Sequence, residues 1–204
     1  MKQIITIQHC QSEQHVNGMM GGWNDWALTE LGRRQAERIG ERLGAELSGQ
    51  SVKIYASDLK RAMETAAPLA KTLGVPVEYR RELREKNFGP LADGKTKEWY
   101  RKHCDNFGNG VDDRCISGAE TKREMYERLG PLCREAAERP EDTVVLVAHG
   151  GILSVWNILW LGLPPEAMNH CGIFGKAGAI GVFDIFEGWE RRILRIGDLS
   201  YWKD

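Results

Sequence analysis

The sequence predicts a three-layer α/β/α sandwich on a mostly parallel sheet with an antiparallel component. Three observations predict it. Short apolar runs at Ile4–Ile7, Val52–Ala56 and Val144–Val147 alternate with stretches of helical spacing, the order of a parallel sheet with crossover helices. The run Val144-Val145-Leu146-Val147 is apolar at every position, as expected for a strand buried on both faces. Near the end, Ala179 to Phe186 and Arg191 to Ile196 flank Gly188 and read as a closing hairpin, which supplies the antiparallel part.

Gln3 to Gln8 reads as the first strand and ends on the polar cluster His9-Cys10-Gln11-Ser12. The Gly- and Asn-rich stretch from Asn17 to Asp25 is a loop. Thr29 is an N-cap by type, with Glu30 favourable in the first turn; Ala36, Ile39, Leu43 and Leu47 then recur at helical spacing. After the strand Val52 to Ala56, Ser57-Asp58 is expected to cap a helix whose apolar face is Leu59, Ala62, Met63, Ala66, Ala70 and Leu73. Pro68 is expected to kink that helix or to start a second segment. Val75 to Tyr79 is a third strand. Residues 85 to 118 show weak periodicity and read as loops and short helix passing over the sheet, with no core of their own. Glu120 to Ala137 is helical, with a break expected at Gly130-Pro131, and Ile152 to Leu161 is an apolar helix.

Residues 1–204 fit one domain, without internal repeat or low-complexity tract. Lys and Arg total 28 against 29 Asp and Glu, a net charge of −1, which argues against gripping nucleic acid or an anionic membrane by bulk charge. The expected partner is a small molecule in one pocket, and the composition admits a homodimer. The apolar run at Ile4–Ile7 is too short and too early for a signal peptide, and no stretch of 18 apolar residues exists. Five scattered cysteines, an odd number, suggest reduced thiols in a cytoplasm.

The chemistry concentrates at strand ends. Ile4-Ile5-Thr6-Ile7-Gln8-His9 and Val144-Val145-Leu146-Val147-Ala148-His149 both run from a buried strand into a histidine, the second followed by Gly150-Gly151. Ligands of open α/β sheets bind at the carboxyl ends of parallel strands, so the two histidines could face one ligand. Tyr55-Ala56-Ser57-Asp58-Leu59-Lys60-Arg61-Ala62 is a third strand-to-helix junction. Helix N-termini favour anions, and an arginine in the first turn can fork onto phosphate oxygens.

These segments resemble the histidine phosphatase superfamily, the group that includes cofactor-dependent phosphoglycerate mutase. Its opening Arg-His-Gly-Glu/Gln-Ser/Thr motif stands here as Gln8-His9-Cys10-Gln11-Ser12. Gly22 through Thr29, Gly32 and Gln35-Ala36 follow the next stretch, and Ser57-Asp58-Leu59-Lys60-Arg61-Ala62 with Thr65-Ala66 the second motif. Leu83-Arg84-Glu85-Lys86-Asn87-Phe88-Gly89 matches the acid-bearing motif, Gly118-Ala119-Glu120-Thr121 with Arg128 the next, and Ala148-His149-Gly150-Gly151 the last. The motifs stand in family order from residue 4 to about 153.

The resemblance implies a phosphohydrolase of small phosphate monoesters acting through phosphohistidine. His9 would be the nucleophile, Arg61 and His149 would hold the equatorial oxygens, and Glu85 would serve as acid and then base. Gln8, Ser12, His15, Asn17, Gly22 and Gly150 are the implied substrate-binding set. No metal or other cofactor is implied. Two departures stand together. Gln8 replaces the family's arginine, removing one cation from the phosphate clamp, and Cys10 replaces glycine beside the nucleophile. His15, at a position where many members carry Asn, or Lys60, Arg84 or Lys86 could supply the lost charge.

Other signals are thin. His103-Cys104, Cys115 and His170-Cys171 lack the paired short spacings of a zinc site. No Gly-x-Gly-x-x-Gly follows the first strand, and no Walker-type loop exists. Trp23, Trp26 and Trp99 are candidates to line the pocket mouth. Two rival functions remain at this level: a phosphoglycerate mutase, for which the chain has little spare length, and a non-catalytic phospholigand-binding protein with a clamp weakened at Gln8.

Overall fold

The computed structural model describes residues 2–104 and 110–203. Six strands form one sheet, in the order β3-β2-β4-β1-β5-β6. β1 (Lys2–Gln8), β2 (Val52–Ala56), β3 (Val77–Tyr79) and β4 (Thr143–Ala148) pair in parallel. β5 (Ile180–Phe186) runs antiparallel to β1, and β6 (Glu190–Asp198) antiparallel to β5, as the terminal hairpin requires. The turn between them uses Gly188 at φ +81°.

Side chains alternate across each strand, and the two sets serve two cores. Ile5, Ile7, Ile54, Val145 and Val147 pack on α2 (Glu30–Glu46) and α3 (Lys60–Leu73). Ile4, Tyr55, Val144 and Leu146 pack on α5 (Lys122–Glu138) and α6 (Gly150–Trp160). Every residue of β4 is buried, in agreement with its unbroken apolar run.

Thr29 caps α2, its hydroxyl accepting from Gly32 N–H at 3.1 Å. Gly32 is fixed by space: a Cβ there would stand 1.9 Å from the Gln11 carbonyl. α2 can therefore begin directly against the loop that follows β1.

Four local expectations change. α3 runs unbroken through Pro68. Gly40 of α2 lies so close that a Cβ would meet the Pro68 backbone and ring at 2.8 Å, and this tight packing holds the helix across the missing hydrogen bond. α5 likewise continues through Pro131, with Leu129, Leu132 and Cys133 anchoring that stretch in the core. The N-cap of α3 is Leu59, because Asp58 is drawn away into a bidentate pair with Arg84 at 2.6 Å. Finally, the excursion after residue 85 does have a small core. Tyr100 of α4 (Lys97–His103) clusters with Met20, Ala92 and Ile116, and Phe88 packs edge-on against it. Its members come from separated loops, so no periodic pattern announces them. Residues 105–109 of that excursion lie outside the described residues. Among those described, no helix is long and apolar enough to cross a membrane.

Candidate active site

The sheet order sets β2, β4 and β1 side by side, so the residues following their carboxyl ends converge. His9 follows β1, His149 follows β4 as the N-cap of α6, and Ser57 and Arg61 follow β2. The pairing of Gln8 with Ala148, continued by a 2.8 Å bond from His9 N–H to the Ala148 carbonyl, levels the two histidines. Their ring centroids lie 5.1 Å apart at 59°. His15, on the one-turn helix α1 (Glu13–Val16), stacks on the other side of His9 at 5.3 Å and 7°.

His9 is buried, and its Nδ1 lies 2.8 Å from the Cys10 carbonyl. A carbonyl only accepts, so Nδ1 carries the proton and Nε2 keeps the lone pair. Burial, then the Arg61 charge, hold the His9 pKa well below the ordinary histidine value, so the ring is neutral near pH 7. Burial, Arg61 and His9 do the same to His149. Ser57 Oγ lies 2.8 Å from His149 Nε2 and accepts from Leu59 N–H at 3.3 Å.

Arg61 is fully buried in the first turn of α3, and its guanidinium donates to the carbonyls of Gly22 at 2.7 Å and Asn24 at 2.8 Å. Burial lowers its pKa to about 10, against Glu85 and Asp25, which raise it; it remains a cation at neutral pH. Arg61 Nε and His149 Nδ1 are buried and have no hydrogen-bond partner among the described residues. Leaving such groups unpaired costs roughly 1–3 kcal/mol each.

Glu85 accepts from the N–H groups of Lys86 at 2.8 Å and Gly151 at 2.9 Å. Gly151 must be glycine for this approach, because a Cβ would stand 2.3 Å from Glu85 Oε1. The Glu85 backbone is held by the Trp23 indole, 2.7 Å from its carbonyl. Arg128, paired with Glu120, donates to the Glu82 carbonyl at 2.7 Å and fixes the same loop.

The remaining expected residues fall around this centre. Ser12 is buried, and its backbone N–H donates to His15 Nδ1 at 3.0 Å, which leaves His15 Nε2 as the donor. Asn17 turns back on its own loop, accepting from Met19 N–H at 2.9 Å. Gly150 opens α6 against the Gln8 amide, which also borders Gly175; Gln8 Oε1 is buried and unpartnered among the described residues. Cys10 has no left-handed backbone and packs in the core beside α2 and α3, so its side chain is accommodated without strain. Burial pushes its thiol up to about 12, which keeps it un-ionised.

Of the four residues considered for the charge lost at Gln8, His15 meets the His9 ring, but burial, with Lys97 and Arg61 nearby, lowers its pKa, so it brings an N–H donor and no charge. Arg84 is held by Asp58 and lies over Trp23, Lys86 lies over Phe88, and Lys60 is exposed at the start of α3. The tryptophans serve as posts. Trp23 holds Glu85, Trp26 donates to the Met20 carbonyl at 2.8 Å, and Trp99 stacks on His103. None of the three borders the 570 Å³ cavity that opens beside Glu85 and Gly151. Sequence reasoning gave no role to Thr65, whose hydroxyl accepts from Cys10 N–H at 3.1 Å and donates to the Arg61 carbonyl at 2.7 Å. It ties the loop after β1 to the arginine's helix, a link that no spacing rule marks.

A fold with paired histidines and a buried arginine at adjacent strand ends defines the class. The sequence profile of the histidine phosphatase superfamily (branch 1) matches residues 4–198, and the chain belongs to that family. It is 30% identical over 190 residues to glucosyl-3-phosphoglycerate phosphatase of Mycobacterium tuberculosis, spanning 86% of this chain and 82% of that one. Metal-independent phosphoserine phosphatase of Arabidopsis thaliana is 31% identical over 157 residues, 74% of this chain and 65% of its own length. In fold, Bacillus stearothermophilus YhfR aligns with a TM-score of 0.84 at 24% identity, covering 100% of both chains. The family and these relatives make the chain a phosphatase of phosphate monoesters.

Proposed function

We propose that this chain hydrolyses a small phosphorylated metabolite through a phosphohistidine formed on His9. The observation that carries the assignment is the bond from His9 Nδ1 to the Cys10 carbonyl, in a ring that burial keeps neutral. It presents Nε2 as a nucleophile whose lone pair is unprotonated and has no hydrogen-bond partner among the described residues. The Nε2 pair attacks phosphorus, the bond to the alcohol oxygen breaks, and Glu85 gives that oxygen its proton. Water then attacks the phosphohistidine, Glu85 takes the water's proton, and the P–N pair returns to Nε2.

Arg61 supplies the positive charge for the transferring group, with Nε–H ready to donate. In the arrangement proposed for His149, Ser57 Oγ accepts from Leu59 N–H and gives its own proton to Nε2. The ring proton then sits on Nδ1, the unpartnered atom. Two buried donors without partners are what an incoming phosphoryl group satisfies. His15 Nε2–H, beside His9, is a third donor. Ser12, Asn17, Gly22 and Gly150 set the loops around the phosphate, and Gln8 contributes an uncharged amide. The scattered cysteines support a cytoplasmic setting.

The test is rapid-quench labelling with substrate. An acid-labile, base-stable phosphoenzyme is expected in the native chain and absent from His9→Ala. Full turnover by His9→Ala would refute the assignment.

A further inference from the structure

The mechanism above fixes the direction in which the leaving alcohol extends. The bridging oxygen leaves in line opposite His9 Nε2 and must come within hydrogen-bond reach of Glu85, so the rest of the alcohol occupies space that borders Glu85 and that His9 does not line. A cavity of about 570 Å³ borders Glu85 and Gly151 there, between α5, α6 and the segment around Met168. That volume suits an organic group much larger than a methyl or glyceryl chain.

Its walls are of two kinds. Met125, Val155 and Met168 give an apolar floor, and Phe174 stands at the rim, 68% exposed. The Phe174 ring lies close over Gly172, where a Cβ would meet it at 2.6 Å. Two lysines, Lys86 and Lys122, line the same cavity. Lys122 donates once, to the Met168 carbonyl at 3.1 Å, and Lys86 lies 5.9 Å from the centre of the Phe88 ring. Neither has a carboxylate partner among the described residues, and the one carboxylate on the described wall, Glu85, is occupied by two backbone amides. The phosphoryl group does not account for this charge, since Arg61 and the histidines already serve it.

We infer that the substrate is the phosphate ester of an alcohol with an apolar body and a second anionic group, a carboxylate, held by Lys86 and Lys122. The apolar body covers Met125, Val155 and Met168, and Phe174 stacks on its outer side. The carboxylate offsets two like charges that share one wall. The inference rests on Glu85 as the group that meets the leaving oxygen.

Phenyl phosphate, 4-carboxyphenyl phosphate and 4-(aminomethyl)phenyl phosphate differ in the charge presented to the cavity and little in shape. The carboxylated ester is expected to exceed phenyl phosphate in kcat/KM by about tenfold, chiefly through KM, with the ammonium ester poorest. Lys86→Met and Lys122→Met together keep the aliphatic stems and should bring the ratio of carboxylated to neutral ester near one. Equal kcat/KM for those two esters in the native chain, or a preference that survives in the double variant, overturns the inference. Failure of the underlying reading looks different: a folded native chain that turns over none of the three is not acting as proposed. Undiminished turnover of a carboxylated alkyl phosphate in Glu85→Gln removes Glu85 from the leaving oxygen, and the cavity assignment falls with it.

Discussion

Gly151→Ala should disable acid catalysis without harming the fold. The added Cβ would stand 2.3 Å from Glu85 Oε1 and 3.1 Å from its Cδ. The first distance is roughly 1 Å short of a carbon–oxygen contact of ~3.5 Å, so the carboxylate must move by about that much. The move sacrifices the 2.9 Å bond from Gly151 N–H to Oε2. A misplacement of about 1 Å at a reacting group costs about a hundredfold in rate. Gly151 has no left-handed backbone, so alanine fits the helix; its helix preference of roughly 0.5–1 kcal/mol offsets the lost bond of about 0.5–1.5 kcal/mol, leaving Tm close to native. The assay is kcat/KM on an alkyl phosphate, which needs a proton on its leaving oxygen, beside p-nitrophenyl phosphate, which does not. About a hundredfold loss is expected on the first and a much smaller loss on the second, the pattern also expected for Glu85→Gln. Gly150→Ala is the comparison. Its Cβ meets only the tip of the Gln8 side chain, at 3.3 Å from Nε2, and should cost less. A folded Gly151→Ala enzyme with alkyl phosphate turnover within about threefold of native would refute the reasoning.

Three further outcomes are expected. Activity should survive excess EDTA, because Arg61 and the histidine N–H groups take the role of a cation; loss on chelation with rescue by zinc or magnesium would contradict this. Stability should fall with acid below pH 6.5. His9 and His149 are neutral when folded, with pKa values depressed by burial, while the unfolded chain takes up protons at its ordinary histidine value. Each therefore contributes a slope of about 1.4 kcal/mol per pH unit from there down to its folded pKa, and nothing above. Urea unfolding of His9→Gln between pH 6 and 5 should show one such slope fewer, and parallel curves would count against a neutral buried His9. Gln8→Arg should lower kcat/KM, because the longer guanidinium must fit between Gly150 and Gly175 in a site that already works with a neutral amide. A gain of one to two decades, the value of a charge-assisted bond of about 1.5–3 kcal/mol, would show instead a family site lacking only its second arginine.

The order of elements was legible because hydrophobic periodicity is a local property. The runs at Ile4–Ile7 and Val144–Val147 read as buried strands, and the hairpin around Gly188 as the antiparallel closure. The proposed site residues His9, Arg61, Glu85 and His149 stood out through their motifs, each short and set in family order. Helix continuity at Pro68 and Pro131 was not, since a proline's cost is set against packing from elsewhere, here Gly40 and the α5 core. The small core around Tyr100 escaped for a similar reason, being drawn from loops without a common period.

The sequence alone marked the residues proposed to carry the chemistry and the strands that bear two of them. Only the tertiary structure decided their protonation and their aim, because both depend on groups far away along the chain. Ser57 directs His149 across 92 positions, and Gly151 brings Glu85 to the start of α6 across 66. Gly22 and Asn24 hold Arg61 through their carbonyls, a contact that nothing in that loop's sequence announces. The burial that keeps His9 neutral, with its lone pair on Nε2, exists only once β1 lies between β4 and β5 beneath these loops.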